Sequence, residues 1–186
     1  AGARTIGDEQ CEVCGLTHDS RDVHPGDVFA VLRGATADGR QFVDAADQNI
    51  RAFAHRDDRV VALQADNLQR DRLAGHLPGA LYGIPVAVKD IIDTVDFPTE
   101  YGSPIHKGRY SVGDATVVSR LRAAGAVIFG KTVSTEFATT QAGPTCNPHN
   151  TAHTPGGSSS GSAAAVAAGM VPGAGAEPGG GTLFWG

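Results

Sequence analysis

Residues 114–131 read DATVVSRLRAAGAVIFGK and combine the signatures of a helix and a strand. Asp114 is of a residue type that caps helix N-termini, and Gly125 stands where a helix would end. Three apolar residues between them share one helix face: Val117, Val118 and Leu121. The apolar run 126–131 then predicts a strand buried on both faces. A helix that leads into such a strand indicates an α/β protein with an open sheet.

Two further segments extend this pattern. IPVAVK (84–89) is a short apolar run rich in β-branched residues, and it predicts a second buried strand. The alanine-rich segment 161–168 predicts a short helix that ends at Gly169. Together with the first stretch, these segments place strands and helices in alternation along the second half of the chain.

The segment 42–75 predicts helix. Apolar residues recur there at helical spacings: Phe53, Val60, Val61, Leu68 and Leu73. Asp57 or Asp58 can cap a break in this helix, and Gly75 suits its exit.

Length and composition limit the function classes. The 186 residues suffice for one domain with a core, or for one domain and a small appendage. The net charge of −5 and the lack of a basic cluster argue against a nucleic-acid or anionic-membrane surface. No apolar stretch approaches the roughly 20 residues that cross a bilayer. The first ten residues lack a signal-peptide pattern, so we expect a cytoplasmic protein with no membrane partner.

The three cysteines do not predict a disulfide framework, because their number is odd. Cys11 and Cys14 form a C-x-x-C, the spacing of half a zinc site or a redox pair. No second pair with suitable spacing follows it, so reduced, structural thiols are the preferred interpretation. We therefore expect no metal site.

The stretch PGGSSSGSAAAVAAG (155–169) allows three interpretations. A flexible linker would not lead directly into an alanine-rich helix. A phosphate loop would need a lysine where Ser162 stands. A catalytic turn fits better, because its serines supply hydroxyls and its glycines allow close backbone approach to a substrate. The base that such a hydroxyl needs is either one of seven scattered histidines or Lys89, which closes an apolar strand where desolvation favours a neutral amine.

Four motifs and their order resemble the amidase signature family, over about residues 49–172. They are GIPVAVKDIIDT (83–94), PTEYGS (98–103), LRAAGAVIFGKT (121–132) and CNPHNTAHTPGGSSSGSAAAVAAGMVP (146–172). The resemblance implies a mixed α/β sheet flanked by helices and a Ser–cis-Ser–Lys triad. By position, Lys89 looks like the catalytic base. Ser158 looks like the bridging serine that follows the unusual peptide bond.

The end of the chain departs from this family. The family's nucleophilic serine closes a TGGS motif, and the ungapped alignment places Thr182 there. The resemblance implies an oxyanion site at the backbone N–H groups of the turn before it, formed by Gly179, Gly180 and Gly181. Because threonine is β-branched and the chain is far shorter than its relatives, we expect a truncated domain with a weak or incomplete triad.

A second resemblance covers residues 14–46, which look like the UDP-sugar-binding N-terminal domain of Mur ligases. In that family the serine equivalent to Ser20 lies at the UDP-sugar site. The ATP-binding G-x-x-G-K-[ST] motif of these ligases is missing, which excludes ligation. We therefore predict an appendage over 1–47, either a small α/β unit or a β-hairpin, and a partial amidase signature domain over 48–186.

The predicted function is hydrolysis of a carboxylic amide C–N bond. The expected partner is a small-molecule amide substrate, and the resemblance implies no metal or organic cofactor. The sequence does not indicate an oligomeric state. Two alternatives stay open: a segment that binds a UDP-muramyl precursor, and a non-functional product of a chimeric or truncated reading frame.

Overall fold

A computed structural model describes residues 15–17, 27–29, 40–77, 79–175 and 183–185. Its strands are β1 (Gly15–Thr17), β2 (Asp27–Phe29), β3 (Phe53–His55), β4 (Pro85–Lys89), β5 (Val127–Thr132), β6 (Gly173–Gly175) and β7 (Leu183–Trp185). Its α-helices are α1 (Arg40–Ile50), α2 (Asp58–Leu73), α3 (Thr116–Ala123) and α4 (Ser160–Ala167). Within the described residues, 3₁₀ turns cover Pro104–His106 and Glu136–Ala138.

Five of the strands form one mixed sheet in the order β3-β5-β4-β6-β7. The central strand β4 pairs in parallel with β5 and β6, and the outer pairs β3–β5 and β6–β7 are antiparallel. Parallel neighbours need a crossover connection, which α3 supplies between β4 and β5. The predicted α/β class with a mixed sheet flanked by helices is confirmed.

Apolar residues pack on both faces of this sheet. On one face Ala87 and Phe129 of the central strands join Ala164 and Ala165 of α4. On the other face a second cluster packs beneath α3: Val86, Val88, Ile92, Phe97, Val118, Leu121, Ala126 and Ile128. Every residue of β5 is buried. Burial on both faces explains why β4 and β5 are continuous apolar runs in the sequence.

The helix predicted for 42–75, with a break capped by Asp57 or Asp58, is wrong at residues 53–55, where the structure has strand β3 between α1 and α2. Arg51 adopts φ +56° and ends α1, and β3 then pairs antiparallel with the end of β5. The Asp47 carboxylate accepts the backbone N–H groups of Ala52 (2.6 Å) and Phe53 (3.2 Å), which holds the break open. The predicted cap at Asp57 is confirmed, since its side chain accepts the Arg59 N–H at 2.9 Å.

The helix predicted after Asp114 is present as α3, but Asp114 does not cap it. The first helical turn follows Ala115, which has no side-chain cap bond. The Asp114 carboxylate instead accepts the N–H of Val95 (2.9 Å) and the Nε–H of Arg122 (2.8 Å). Asp114 therefore ties α3 to the loop after β4 and does not stabilise the helix end.

The N-terminal strands β1 and β2 pair in parallel, with Gly15 opposite Asp27 and Thr17 opposite Phe29. The β-hairpin alternative for the appendage is therefore wrong, because a hairpin turn joins only antiparallel strands. The small α/β unit stays a prediction. Within the part of the chain described by the structure, no helix has the length and apolar character to cross a membrane.

Candidate active site

Lys89 and Ser158 meet at the carboxyl end of β4. Lys89 is the last residue of that strand and has no exposed surface. Its Nζ donates a hydrogen bond to Ser158 Oγ at 2.7 Å, although 69 residues separate the two in sequence. The peptide bond between Gly157 and Ser158 is cis. The structure thus brings together the two residues that the sequence singled out as base and bridging serine.

The loop that carries Ser158 is fastened to the chain at and just beyond the end of β5. The Ser158 carbonyl accepts the N–H of Thr135 at 3.0 Å, and the Gly161 N–H is donated to the Val133 carbonyl at 2.9 Å. Within the first turn of α4, the Ser162 hydroxyl is hydrogen-bonded to Thr132 Oγ1 at 2.7 Å. These bonds fix the serine loop against β5, the direct neighbour of β4.

The serines of this loop therefore have different environments. Ser158 is half-buried and contacts Lys89, whereas Ser160 is buried and donates its hydroxyl to the Val133 carbonyl at 3.3 Å. Ser162 is fully buried, and its hydroxyl is hydrogen-bonded to the hydroxyl of Thr132. Two of the hydroxyls anchor the loop, and Ser158 is the one that faces the lysine.

A cavity of about 490 Å³ opens beside Ser158. It is lined by Thr135, Ala138, Thr139, Thr140, Ala142, Thr154, Gly156, Gly157 and Ser158. None of these lining residues is charged, and the volume lies in the range of small-molecule sites. The cavity therefore suits a neutral group that approaches the Lys89–Ser158 pair.

A second buried lysine, Lys131, lies on β5 opposite Val88 of β4. The Nζ of Lys131 donates to Thr99 Oγ1 (2.6 Å) and to the Pro98 carbonyl (3.2 Å), and it lies 3.9 Å from Asp90 Oδ1. Burial lowers the pKa of Lys131 to about 8, against the opposing charge of Asp90. Burial also raises the pKa of Asp90, although the N–H groups of Glu100 and Gly102 oppose the shift. Sequence reasoning missed the Lys131–Asp90 pair, whose only signal was a charged residue at the end of the predicted strand 126–131 and another directly after the predicted strand 84–89.

Replacing Lys131 with Met should remove a rise in the free energy of unfolding between about pH 8 and pH 10.4. The folded-state pKa of about 8 lies below the value near 10.4 of an unfolded lysine. In that window the unfolded chain binds more protons, so stability increases with pH, while below about pH 8 the full cost of burying the ammonium applies. Urea unfolding across this range measures both slopes. Equal slopes in wild type and variant would contradict the prediction.

Several residues singled out from the sequence lie outside the described residues. They are the predicted nucleophile Thr182, the oxyanion glycines Gly179, Gly180 and Gly181, the UDP-sugar residue Ser20, and the pair Cys11 and Cys14. Cys146 is described, and it is a buried free thiol. The roles assigned to the residues outside the described part stay predictions.

Comparison with known proteins gives the family. The model of the family described as Amidase matches residues 40–183. The chain belongs to the amidase signature family. The amidase match begins at the first residue of α1, spans β3 to β6, the serine loop and α4, and ends at the first residue of β7. It gives no support to the alternative function of residues 14–46 as a UDP-muramyl-binding segment of a Mur ligase.

Individual amidase-family relatives agree with this match. One subunit of the glutamyl-tRNA(Gln) amidotransferase of Rhodopirellula baltica is 42% identical over 158 residues, which are 82% of this chain and 31% of that protein. The solved native peptide amidase from Stenotrophomonas maltophilia is 35% identical with a TM-score of 0.62, covering 72% of this chain and 31% of that one. The solved amidotransferase subunit from Thermotoga maritima, of the same type as the first relative, is 36% identical with a TM-score of 0.57, covering 72% of this chain and 29% of that one. The chain thus spans about a third of the length of these relatives.

Proposed function

We propose that this amidase-family chain hydrolyses the C–N bond of a small, neutral carboxylic amide. The observation that carries the proposal is the 2.7 Å hydrogen bond between Lys89 Nζ and Ser158 Oγ. A hydroxyl is a weak nucleophile until a neighbouring base takes its proton. A lysine without exposed surface, hydrogen-bonded to a serine at the edge of a cavity, supplies such a base and a relay for the proton.

In the proposed reaction Thr182 is the nucleophile. Its hydroxyl gives its proton to Ser158 Oγ while Ser158 gives its own proton to neutral Lys89, and the Thr182 oxygen bonds to the amide carbon. The carbonyl oxygen becomes an oxyanion, which the N–H groups of Gly179–Gly181 stabilise. The C–N bond then breaks as the proton returns through Ser158 to the leaving amine. Water hydrolyses the resulting ester by the same relay and restores Thr182.

The cavity supports the substrate class. All of the described residues that line it are uncharged, so a charged substituent would gain no partner of opposite charge among them when it loses water. Gly156 and Gly157 line the same cavity as Ser158. The proposed substrate is therefore a small neutral amide, and the proposed reaction needs no cofactor.

A fluorophosphonate probe tests the proposal. Its phosphorus should form a bond to the Thr182 oxygen with release of fluoride, and mass spectrometry of the digested chain should locate the label there. Lys89→Ala should abolish the labelling because it removes the base. Absence of both labelling and turnover of small neutral amides would reject the function for this chain.

The variant Thr182→Ser serves as the positive control. Serine keeps the hydroxyl and removes the methyl group that restricts χ1 and crowds the approach to the carbonyl. We expect the labelling rate to rise about tenfold, which corresponds to about 1.4 kcal/mol of activation free energy. A rate unchanged by Thr182→Ser, with a label on another residue, would assign the nucleophile elsewhere.

A further inference from the structure

We propose that Asp90 is a positioning residue that holds the Ser158 hydroxyl against the Lys89 amine, an inference that rests on the proposed function. Asp90 directly follows Lys89 and is 1% exposed. Its two carboxylate oxygens accept the N–H groups of Glu100 (2.9 Å) and Gly102 (3.0 Å), and its carbonyl accepts the N–H of Tyr101 (3.0 Å). Three consecutive backbone N–H groups of one loop are thus bound to a single residue.

The 100–103 loop in turn holds the segment that leaves β5. The Tyr101 carbonyl accepts the N–H of Phe137 at 2.8 Å, and the Ser103 hydroxyl donates to Glu136 Oε1 at 2.7 Å. The two segments also pack closely, because a Cβ on Gly102 would lie 2.6 Å from the carbonyl oxygen of Ser134. A movement of the loop would therefore move residues 134–138.

Residues 134–138 complete the connection to Ser158. The Thr135 N–H is donated to the Ser158 carbonyl at 3.0 Å, and the Thr135 methyl group lies against Gly157, where an added Cβ would approach it to 2.6 Å. Contacts therefore run from Asp90 through the loop and this segment to Ser158. Since Lys89 is the chain neighbour of Asp90 and its Nζ is hydrogen-bonded to Ser158, these contacts form a closed ring: Lys89, Asp90, the 100–103 loop, residues 134–138 and Ser158.

Backbone conformation shows that this ring is under constraint. Tyr101, Phe137 and Ala138 have φ of +58°, +49° and +57°, although none of them is glycine. Such conformations are unfavourable for residues other than glycine and persist only where surrounding contacts enforce them. The bond from the Tyr101 N–H to the Asp90 carbonyl and the bond from the Phe137 N–H to the Tyr101 carbonyl hold two of these residues, and the Ala138 N–H is bound to the Thr135 carbonyl.

The arrangement depends on a carboxylate. Two acceptor oxygens face two N–H groups, and the Nζ of Lys131 lies 3.9 Å from Asp90 Oδ1. Asparagine has the same shape but offers one acceptor oxygen and one NH₂ group. In Asp90→Asn the NH₂ group would face a backbone N–H, so one bond is replaced by a contact between two donors. The 100–103 loop should then shift, and the Lys89–Ser158 contact with it.

The chain is well suited to a direct spectroscopic test, because it contains only three lysines: Lys89, Lys107 and Lys131. In the full chain labelled with ¹³Cε-lysine, Lys89→Ala and Lys131→Met assign the three resonances. Ser158→Ala should shift the Lys89 resonance, since it removes the hydrogen-bond partner. Asp90→Asn should reproduce at least half of that shift, and the double variant should shift little further than Ser158→Ala alone. The resonance of the exposed Lys107 serves as the internal reference.

Asp93→Asn is the matched control. Asp93 lies in the same turn, but its carboxylate is paired with the Arg109 side chain and not with backbone N–H groups. It should leave the Lys89 resonance in place. If Asp90→Asn does not fold, Ser103→Ala removes one contact of the same ring and should give a smaller shift in the same direction.

The outcomes separate this inference from the proposed function. An Asp90→Asn chain that folds and leaves the Lys89 resonance unmoved, or a shift that adds fully to that of Ser158→Ala, would overturn the positioning role. The same holds if Asp90→Asn is unfolded and Ser103→Ala has no effect on Lys89. Because the resonances do not depend on turnover, a chain without probe labelling would reject the function while this measurement still decides the role of Asp90.

Discussion

Ser158→Ala should lower the rate of probe labelling and of amide turnover about 10²- to 10⁴-fold, the contribution typical of a positioned acid–base group. The Ser158 hydroxyl is the group that faces Lys89, at 2.7 Å, and in the proposed reaction it carries the proton in both directions. Alanine removes this relay and the Lys89–Ser158 hydrogen bond. The ratio of turnover number to KM should fall together with the turnover number, because the relay acts in the transition state and not in substrate binding.

Ser159→Ala provides the comparison for that result. Ser159 is the next residue, is half-buried like Ser158, and makes no side-chain cap bond to α4. Its removal should change the rate less than threefold. Equal losses in the two variants would mean that damage to the loop, and not the Lys89–Ser158 contact, accounts for the effect. Rates in Ser158→Ala within threefold of wild type would remove Ser158 from the mechanism.

The central strands β4 and β5 could be predicted from their local sequence alone. β4 begins one residue later than the predicted strand 84–89, and β5 begins and ends one residue later than the predicted strand 126–131. Both strands are covered by helices or loops on each face, so nearly every position is apolar or buried. A continuous apolar run bounded by turn residues is therefore enough to predict each of these strands.

Strand β3 shows why the local sequence pattern did not predict a strand at 53–55. Three residues are too few to display an alternation of exposed and buried positions, and their neighbours have helical spacing. The pairing of Phe53 with Thr132 joins residues far apart in the chain. Contacts between residues so far apart in the chain override the local preference for helix, and they cannot be predicted from a local sequence pattern.

The site was predicted only in part for a related reason. Lys89 and Ser158 could be predicted because their side chains carry reactive groups: Lys89 has an amine at the end of an apolar strand, and Ser158 has a hydroxyl in a glycine-rich loop. The contribution of Asp90 passes through backbone N–H groups of Glu100 and Gly102, which any residue other than proline would supply. The identity of those loop residues therefore does not reveal the contact, and only the fold shows which N–H groups reach the carboxylate.

Gly161→Ala should destabilise the protein by about 2 kcal/mol or more. Gly161 lies in the first turn of α4, and its N–H is donated to the Val133 carbonyl at 2.9 Å. A Cβ at this position would overlap the Ala52 carbonyl oxygen and the Val133 amide nitrogen. Both are backbone atoms that cannot rotate away, so α4 must move from the sheet. Overpacking of this kind commonly costs about 1–3 kcal/mol and sometimes more, which outweighs the gain of about 1 kcal/mol from placing alanine in a helix.

Gly113→Ala is the matched control, because a Cβ there meets no atom within 4 Å and its φ is not positive. It should leave the free energy of unfolding unchanged or raise it by about 0.4–1 kcal/mol through the unfolded state. Urea unfolding of both variants measures the difference. Equal stability of Gly161→Ala and wild type would mean that α4 does not dock as closely as the structure shows. In that case the bonds of Gly161 and Ser162 to β5 and the residue after it could not hold Ser158 in register with Lys89, and the proposed site would lose its support.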